Sequence, residues 1–459
     1  MGSAAYALLR AIARVALSWY YGSVDVSGLE RVPTRGPVLL AGNHPNALID
    51  ALIIGVFAPR RLRMLAKATL FGSPLAARVL RGLGVIPLQR AKDVRADEGA
   101  TAVDPARNAE SFAAVTDALR RESAVLIFPE GISHDAPQLA PLRTGLARMA
   151  LAARDAGVRD LRIVPMGLVF EAKEAPRSRV LLQVGDPLVL DAVPAEAATV
   201  AALTAEVDRR LRAVTLNFAN AEDAARITAL AHALAVLLAP VRAVGRQTHR
   251  LADVVRLTRR VARAASRLDE ARRSDAPLAT ALAERALAFE TRFAAFRARL
   301  DHERLAIEDV RIDPGGPAGV RFAVRETARA LVVGPVGLWG RVNHWLPLRL
   351  TRWMALRGAQ SRDEPAMRSV VLGVGLVLAF YALQTSAVAA FAGGGWAALY
   401  ALTLIPSAGA DLRSGDRWRR ARARARAYWR FRREPALQAS LVAEASWLRE
   451  EAGRIEAAL

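Results

Sequence analysis

The chain reads as an α/β protein: a helix-covered mixed β-sheet over residues 25–192, a helical region over 193–312, and a membrane-associated region over 313–459. Three observations predict this. Between about 25 and 190, short apolar runs alternate with alanine- and arginine-rich stretches, the texture of a sheet covered by helices. After Pro194, Val200, Leu203, Val207, Leu211 and Val214 recur at three- and four-residue steps, and helical character continues to about 310. Ser369–Phe391 contains no charge and exceeds the roughly 20 residues needed to cross a hydrocarbon core.

In chain order, residues 1–24 fit an interfacial amphipathic helix. Leu8, Leu9, Ile12, Val15, Ala16 and Trp19 lie near one face, and Trp19, Tyr20 and Tyr21 close the run. A helix packed on its own domain has the same pattern. Buried strands are predicted at Pro37–Ala41, Val85–Leu88, Ala124–Phe128, Ile163–Val169 and Val180–Val184, with helices over 108–121 and 143–155. The interleaved acids and arginines of 250–302, with few aromatics, suit a solvated helical bundle and not a nucleic-acid module.

Pro314-Gly315-Gly316-Pro317 marks a boundary, beyond which Ala330–Leu348 is apolar but interrupted by Arg341. Tryptophans at 339 and 345 suit an interfacial segment, and a buried helix pair fits equally. An apolar hairpin spans about 369–410: Ser369–Phe391, the turn Gly393-Gly394-Gly395, then Trp396–Ala410, a shorter run weakened by Pro406. Arg417–Arg433 holds nine arginines in seventeen residues. The positive-inside rule puts this basic tail, and with two crossings the α/β domain, on the cytoplasmic side. Anionic lipid is the expected partner of such a tail, in preference to RNA.

Composition narrows the chemistry. With no cysteine, disulfides, thiol nucleophiles and thiolate metal sites are excluded. Six scattered histidines show no metal-ligand spacing, so no metal is expected. Net charge is +21; of 65 basic residues, removing Lys67, Lys92 and Lys173 leaves 62 arginines, a surface suited to anionic headgroups and phosphorylated substrates. Arg10 and Arg14 break the N-terminal apolar stretch, against a signal peptide.

Four short constellations fall on or beside strands of the α/β domain. Asn43-His44 follows the first strand, with Asp50 downstream: a base that titrates near neutrality and a carboxylate to orient it. Gly84-Val85-Ile86-Pro87-Leu88-Gln89-Arg90 ends in a guanidinium, whose fork of donors suits phosphate. Phe128-Pro129-Glu130-Gly131 brings a carboxylate and a backbone amide to a strand end, followed by Arg143. Val164-Pro165-Met166-Gly167 is the fourth. Taken singly, each also reads as a turn, a surface arginine or a core strand.

In this order the four resemble the motifs of the phospholipid/glycerol acyltransferase family, which includes 1-acylglycerol-3-phosphate and glycerol-3-phosphate acyltransferases. The resemblance covers roughly 25–190. Arg177-Ser178-Arg179, Gly185-Asp186-Pro187 and Val214-Thr215-Leu216-Asn217 are similar to the glycerol-3-phosphate/dihydroxyacetone-phosphate branch. The resemblance implies acyl transfer from coenzyme A or acyl carrier protein to a glycerophosphate or lysophospholipid hydroxyl, with no cofactor. His44 and Asp50 would be catalytic, and Asn43, Arg90, Glu130, Gly131 and Arg143 would bind substrate. A hydrolase using the same base, or a non-catalytic lipid-binding protein, are the alternatives.

Two departures from the family pattern matter. Five residues separate His44 from Asp50 where four are usual. On a regular helix that six-residue step turns about 600°, leaving the side chains about 240° apart. Pairing therefore requires a turn at His44-Pro45 before the helix starts. Ile132-Ser133 also replaces the usual Thr-Arg, removing a basic residue beside Gly131.

Overall fold

The computed structural model describes residues 3–88, 105–194, 199–238, 250–273, 277–358 and 364–458. They form two compact units: Met1–Asn220 with Leu350–Gly375, and Ala221–Arg349 with Leu376–Leu459.

The first unit is built on one mixed sheet. Its strands are β1 (Ser23–Ser27), β2 (Val38–Gly42), β3 (Leu62–Lys67), β4 (Ile86–Leu88), β5 (Ala124–Ile127), β6 (Arg162–Phe170), β7 (Arg179–Val184) and β8 (Leu188–Val189). They lie in the order β1-β7-β6-β2-β5-β3-β4, with β8 beside β6. Strands β6, β2, β5, β3 and β4 run parallel, so their carboxyl ends share one edge; β7 and β8 are antiparallel to β6.

The central strands are apolar throughout because both faces are covered. Leu39, Ala41, Val125 and Ile127 point toward α4 (Pro105–Arg120), α5 (Gly145–Asp155) and α6 (Val200–Val214). Val38, Leu40, Ala124 and Leu126 point toward α1 (Ser3–Tyr20) and α2 (Leu48–Phe57), and α3 (Pro74–Gly82) leads into β4. The later turns of α1 bury Leu17 and Tyr20, while Leu8 and Leu9 stay exposed. Arg10 and Arg14 donate to the Val56 carbonyl at the end of α2, where cations complement the helix dipole.

Gly167 of β6 has a steric role. A Cβ there would sit 2.1 Å from the Val214 carbonyl oxygen, so main chain passes directly over main chain. Gly167→Ala should destabilise the first unit by about 3 kcal/mol or more, read as a lower denaturant midpoint.

The second unit contains α7 (Ala221–Leu238), α8 (Leu251–Arg272), α9 (Pro277–His302), most of α10 (Gly316–Arg357), the later part of α11 (Glu364–Ala392), α12 (Gly394–Arg433) and α13 (Pro435–Ala458). Phe289, Phe293, Phe296, Phe431, Leu441 and Leu448 centre its core. The apolar stretch 330–348 lies inside α10, a helix of 42 residues that continues through Pro335 and Pro347. Among the described residues α11 alone is long and apolar enough to cross a membrane. The second apolar run is the first part of the 40-residue α12, and the turn before it is a single break at Gly393, φ 89°.

Polar contacts lace α10, α11 and α12 together. Arg341, which interrupts the apolar run, pairs with Asp411 at 3.1 Å. The buried His344 meets the Tyr381 hydroxyl at 2.6 Å, and the Tyr400 hydroxyl donates to Asn343. Much of the basic run of α12 also has partners: Arg417 grips Glu326 through two bonds of 2.7 Å, and Arg430 meets Glu303 at 2.8 Å.

Asp309, in the connection from α9 to α10, is buried, and burial, outweighing the pull of Arg424, pushes its carboxyl up from 3.8 to about 6. The folded chain thus binds this proton more tightly than the unfolded chain does. Stability falls as pH rises from about 4 to about 6, and above that the buried charge costs on the order of 3 kcal/mol. Asp309→Asn should raise the thermal midpoint at pH 7 and leave it nearly unchanged at about pH 4.

Candidate active site

The shared carboxyl edge gathers the polar residues that follow the strands, the usual position of a site in such a sheet. Asn43 and His44 leave β2, and Phe128-Pro129-Glu130 leaves β5. Lys67 ends β3 and pairs in register with Leu88, the last described residue before Arg90. Arg90 itself lies outside the described residues.

After Asn43 the chain turns through Pro45, Asn46 and Ala47, and α2 starts only at Leu48. The structure therefore makes the turn that the five-residue spacing requires. Ala47 carries it with φ 47° and ψ −131°, a left-handed conformation that costs a non-glycine residue on the order of 1–3 kcal/mol. His44 and Asp50 come together as a result, Nδ1 to Oδ2 at 3.0 Å. Asp50 Oδ2 also accepts the Asn46 N–H at 2.7 Å.

This contact fixes the imidazole. Asp50 has only acceptors to offer, so Nδ1 carries the hydrogen and Nε2 the lone pair. The ring stacks on Phe128 with centroids 4.1 Å apart, and the side chain keeps 19% exposure. No described residue bonds Nε2. Asp50 is fully buried, and burial pushes its carboxyl up from the ordinary range. The His44 hydrogen bond and charge, the Asn46 N–H and the Lys173 charge all pull it back down.

Other residues singled out from the sequence have different surroundings. The Asn43 amide is engaged at both ends by Leu168, donating to its carbonyl at 3.0 Å and accepting its N–H at 2.7 Å. It extends the pairing of β2 with β6 toward the site. Glu130 is buried, and its oxygens accept from the His44 N–H at 2.7 Å and the Ala140 N–H at 2.8 Å, besides meeting His134 Nε2. Its carboxylate faces the chain itself. Gly131 takes φ 72° and closes the turn, with the stem of the exposed Arg143 alongside.

His134, Ser133 and Lys173 also belong to this cluster; the sequence marks Ser133 only as a departure from the family pattern and gives no signal for His134. Glu130 draws the His134 pKa up against burial, while the Ala136 N–H, which donates to Nδ1, favours the neutral ring. Lys173 had one legible signal, a lysine retained among 62 arginines. Among the described residues no cluster of three or more acids and histidines could hold a metal ion.

Residues 23–169 match the family model described as Acyltransferase. These residues form an Acyltransferase-family domain. The chain is 44% identical over 85 residues to glycerol-3-phosphate O-acyltransferase 2 of Saccharomyces cerevisiae, covering 18% of this chain and 11% of that protein. It is 39% identical over 75 residues to glycerol-3-phosphate O-acyltransferase 1 of the same yeast, 16% of this chain and 10% of that protein. The matches thus span about a tenth of each yeast protein. A crystal structure of the 1-acyl-sn-glycerophosphate acyltransferase PlsC from Thermotoga maritima aligns at 17% identity and TM-score 0.35, over 46% of this chain and 78% of that one.

Proposed function

We propose that this acyltransferase moves a fatty acyl chain from a coenzyme A or acyl carrier protein thioester to a hydroxyl of glycerol-3-phosphate or lysophosphatidate. The observation that carries the reading is the His44–Asp50 pair, with Nε2 left open at the carboxyl edge of the sheet. His44 Nε2 takes the acceptor's hydroxyl proton as that oxygen attacks the thioester carbonyl. Asp50 steadies the imidazolium so formed. Collapse of the tetrahedral intermediate expels the thiolate, which recovers the proton from His44. The products are an ester and a free thiol, and no residue of the chain is acylated.

Three cationic positions favour a phosphorylated acceptor. Lys67 and Arg143 are exposed near this edge, and Arg90 follows the strand beside Lys67 in sequence. The two yeast relatives are named for glycerol-3-phosphate as acceptor, which supports the same choice. The apolar helix α11 and the exposed Arg420, Arg422, Arg426 and Arg433 of α12 support work at an anionic membrane.

Purified protein in detergent, given radiolabelled acyl-CoA and a panel of acceptors, tests the reading. Label should pass to glycerol-3-phosphate or lysophosphatidate. Release of free fatty acid at a rate indifferent to acceptor would assign a hydrolase instead.

A further inference from the structure

We infer that Ser133 and Lys173, with His134, are positioning residues for His44, holding the loop that the five-residue spacing to Asp50 creates. This rests on the reading of His44 as the base.

The loop His44–Ala47 is short, polar in its backbone and locally strained, yet every main-chain group in it has a partner. The His44 N–H donates to Glu130, and its carbonyl accepts from the His134 N–H at 3.3 Å. The Pro45 carbonyl accepts from Lys173 Nζ at 2.8 Å. Asn46 bonds Asp50 through its N–H and Ile49 through its carbonyl. The Ala47 N–H donates to Ser133 Oγ at 3.0 Å, and the Ala47 carbonyl accepts from the Asp50 N–H at 3.3 Å. Three of these partners come from Ser133, His134 and Lys173.

The two sequence departures are therefore one structural feature. An extra residue between His44 and Asp50 would turn their side chains apart on a continuous helix. The chain instead breaks the helix at Ala47, in a conformation alanine resists. Ser133, standing where a basic residue is usual, supplies the acceptor that Ala47 needs in that conformation.

Lys173 closes the loop from the other side. Its ammonium meets three oxygens, those of Pro45 at 2.8 Å, His134 at 3.4 Å and Asp135 at 2.5 Å. A compact head with three rotatable donors can converge on such a set, whereas a guanidinium is bulkier and holds its donors in one plane. That explains a lysine at this position in a chain otherwise built with arginine.

The test compares Ser133→Ala, Lys173→Met, Lys173→Arg and Ser133→Ala/Ala47→Gly in the full chain. The readouts are kcat, KM for the thioester, the thermal midpoint, and the NMR titration of the His44 ring, assigned by difference with His44→Ala. Ser133→Ala and Lys173→Met should lower kcat about 10- to 100-fold with KM little changed, and shift the His44 titration. Lys173→Arg should behave like Lys173→Met. Ala47→Gly should restore part of the lost turnover, because glycine adopts this conformation without strain. Wild-type kcat in both single variants, losses that only track the unfolded fraction, or no recovery with Ala47→Gly would each overturn the inference. Should His44→Ala keep its turnover, the base assignment fails. The positioning claim then stands or falls on whether Ser133→Ala moves the His44 titration.

Discussion

His44→Ala should lower kcat by about 10²–10⁴ while leaving a folded protein. The size follows from what the ring alone supplies. Asp50 fixes Nδ1 as the protonated nitrogen, so Nε2 is the only lone pair of the pair that faces open space. Removing it leaves the acceptor hydroxyl to lose its proton to water. Folding should survive, because the ring is partly exposed and its partners among the described residues are Phe128, on which it stacks, and Asp50. Loss of the stacked contact costs about 0.5–1.5 kcal/mol, visible as a modest drop in midpoint. Binding of the thioester should be nearly unchanged, so the loss falls on kcat and not on KM. A correctly folded variant with undiminished acyl transfer would remove His44 from the mechanism.

The central strands were legible because burial on both faces leaves a continuous apolar signature. Ile163–Val169 was expected and Arg162–Phe170 is found; Pro37–Ala41 was expected and Val38–Gly42 is found. Strand β3, Leu-Arg-Met-Leu-Ala-Lys, carries no such signature because its charges break the run, and β1, Ser-Val-Asp-Val-Ser, has the polarity of a loop. Among the site residues, short motifs identified His44 and Asp50 but could not say what Asn43 and Glu130 face. That depends on Leu168, Ala140 and His134, whose proximity is set by the sheet and not by local spacing. Ser133 and Lys173 are single polar residues in loops, where no periodicity exists to mark them. In the second unit Arg341 looked like an interruption of an apolar helix, and its partner Asp411 lies 70 residues away in sequence.

The two substitutions of Asp50 should separate its charge from its shape. Oδ2 accepts both the His44 ring hydrogen and the Asn46 N–H, while Oδ1 is buried with no partner. Asp50→Asn can place its carbonyl oxygen where Oδ2 sits and keep both bonds. Its amide nitrogen then occupies the Oδ1 position without an acceptor, at a cost of about 1–3 kcal/mol, offset in part by no longer burying a carboxylate. Stability should change little, but the imidazolium formed during transfer loses its counter-charge. A unit charge at this range is worth about 4 kcal/mol at an effective dielectric of 20, so kcat should fall on the order of 10³-fold. Asp50→Ala should lose the orientation of His44 and the Asn46 bond as well, bringing kcat to the level of His44→Ala and lowering the midpoint. Equal activity of the wild type and Asp50→Asn would show that the carboxylate only orients the ring. In a His44→Ala background, Asp50→Asn should cost nothing further in kcat, because the carboxylate acts only through the imidazole. A multiplicative loss there would mean that Asp50 reaches the substrate by another route.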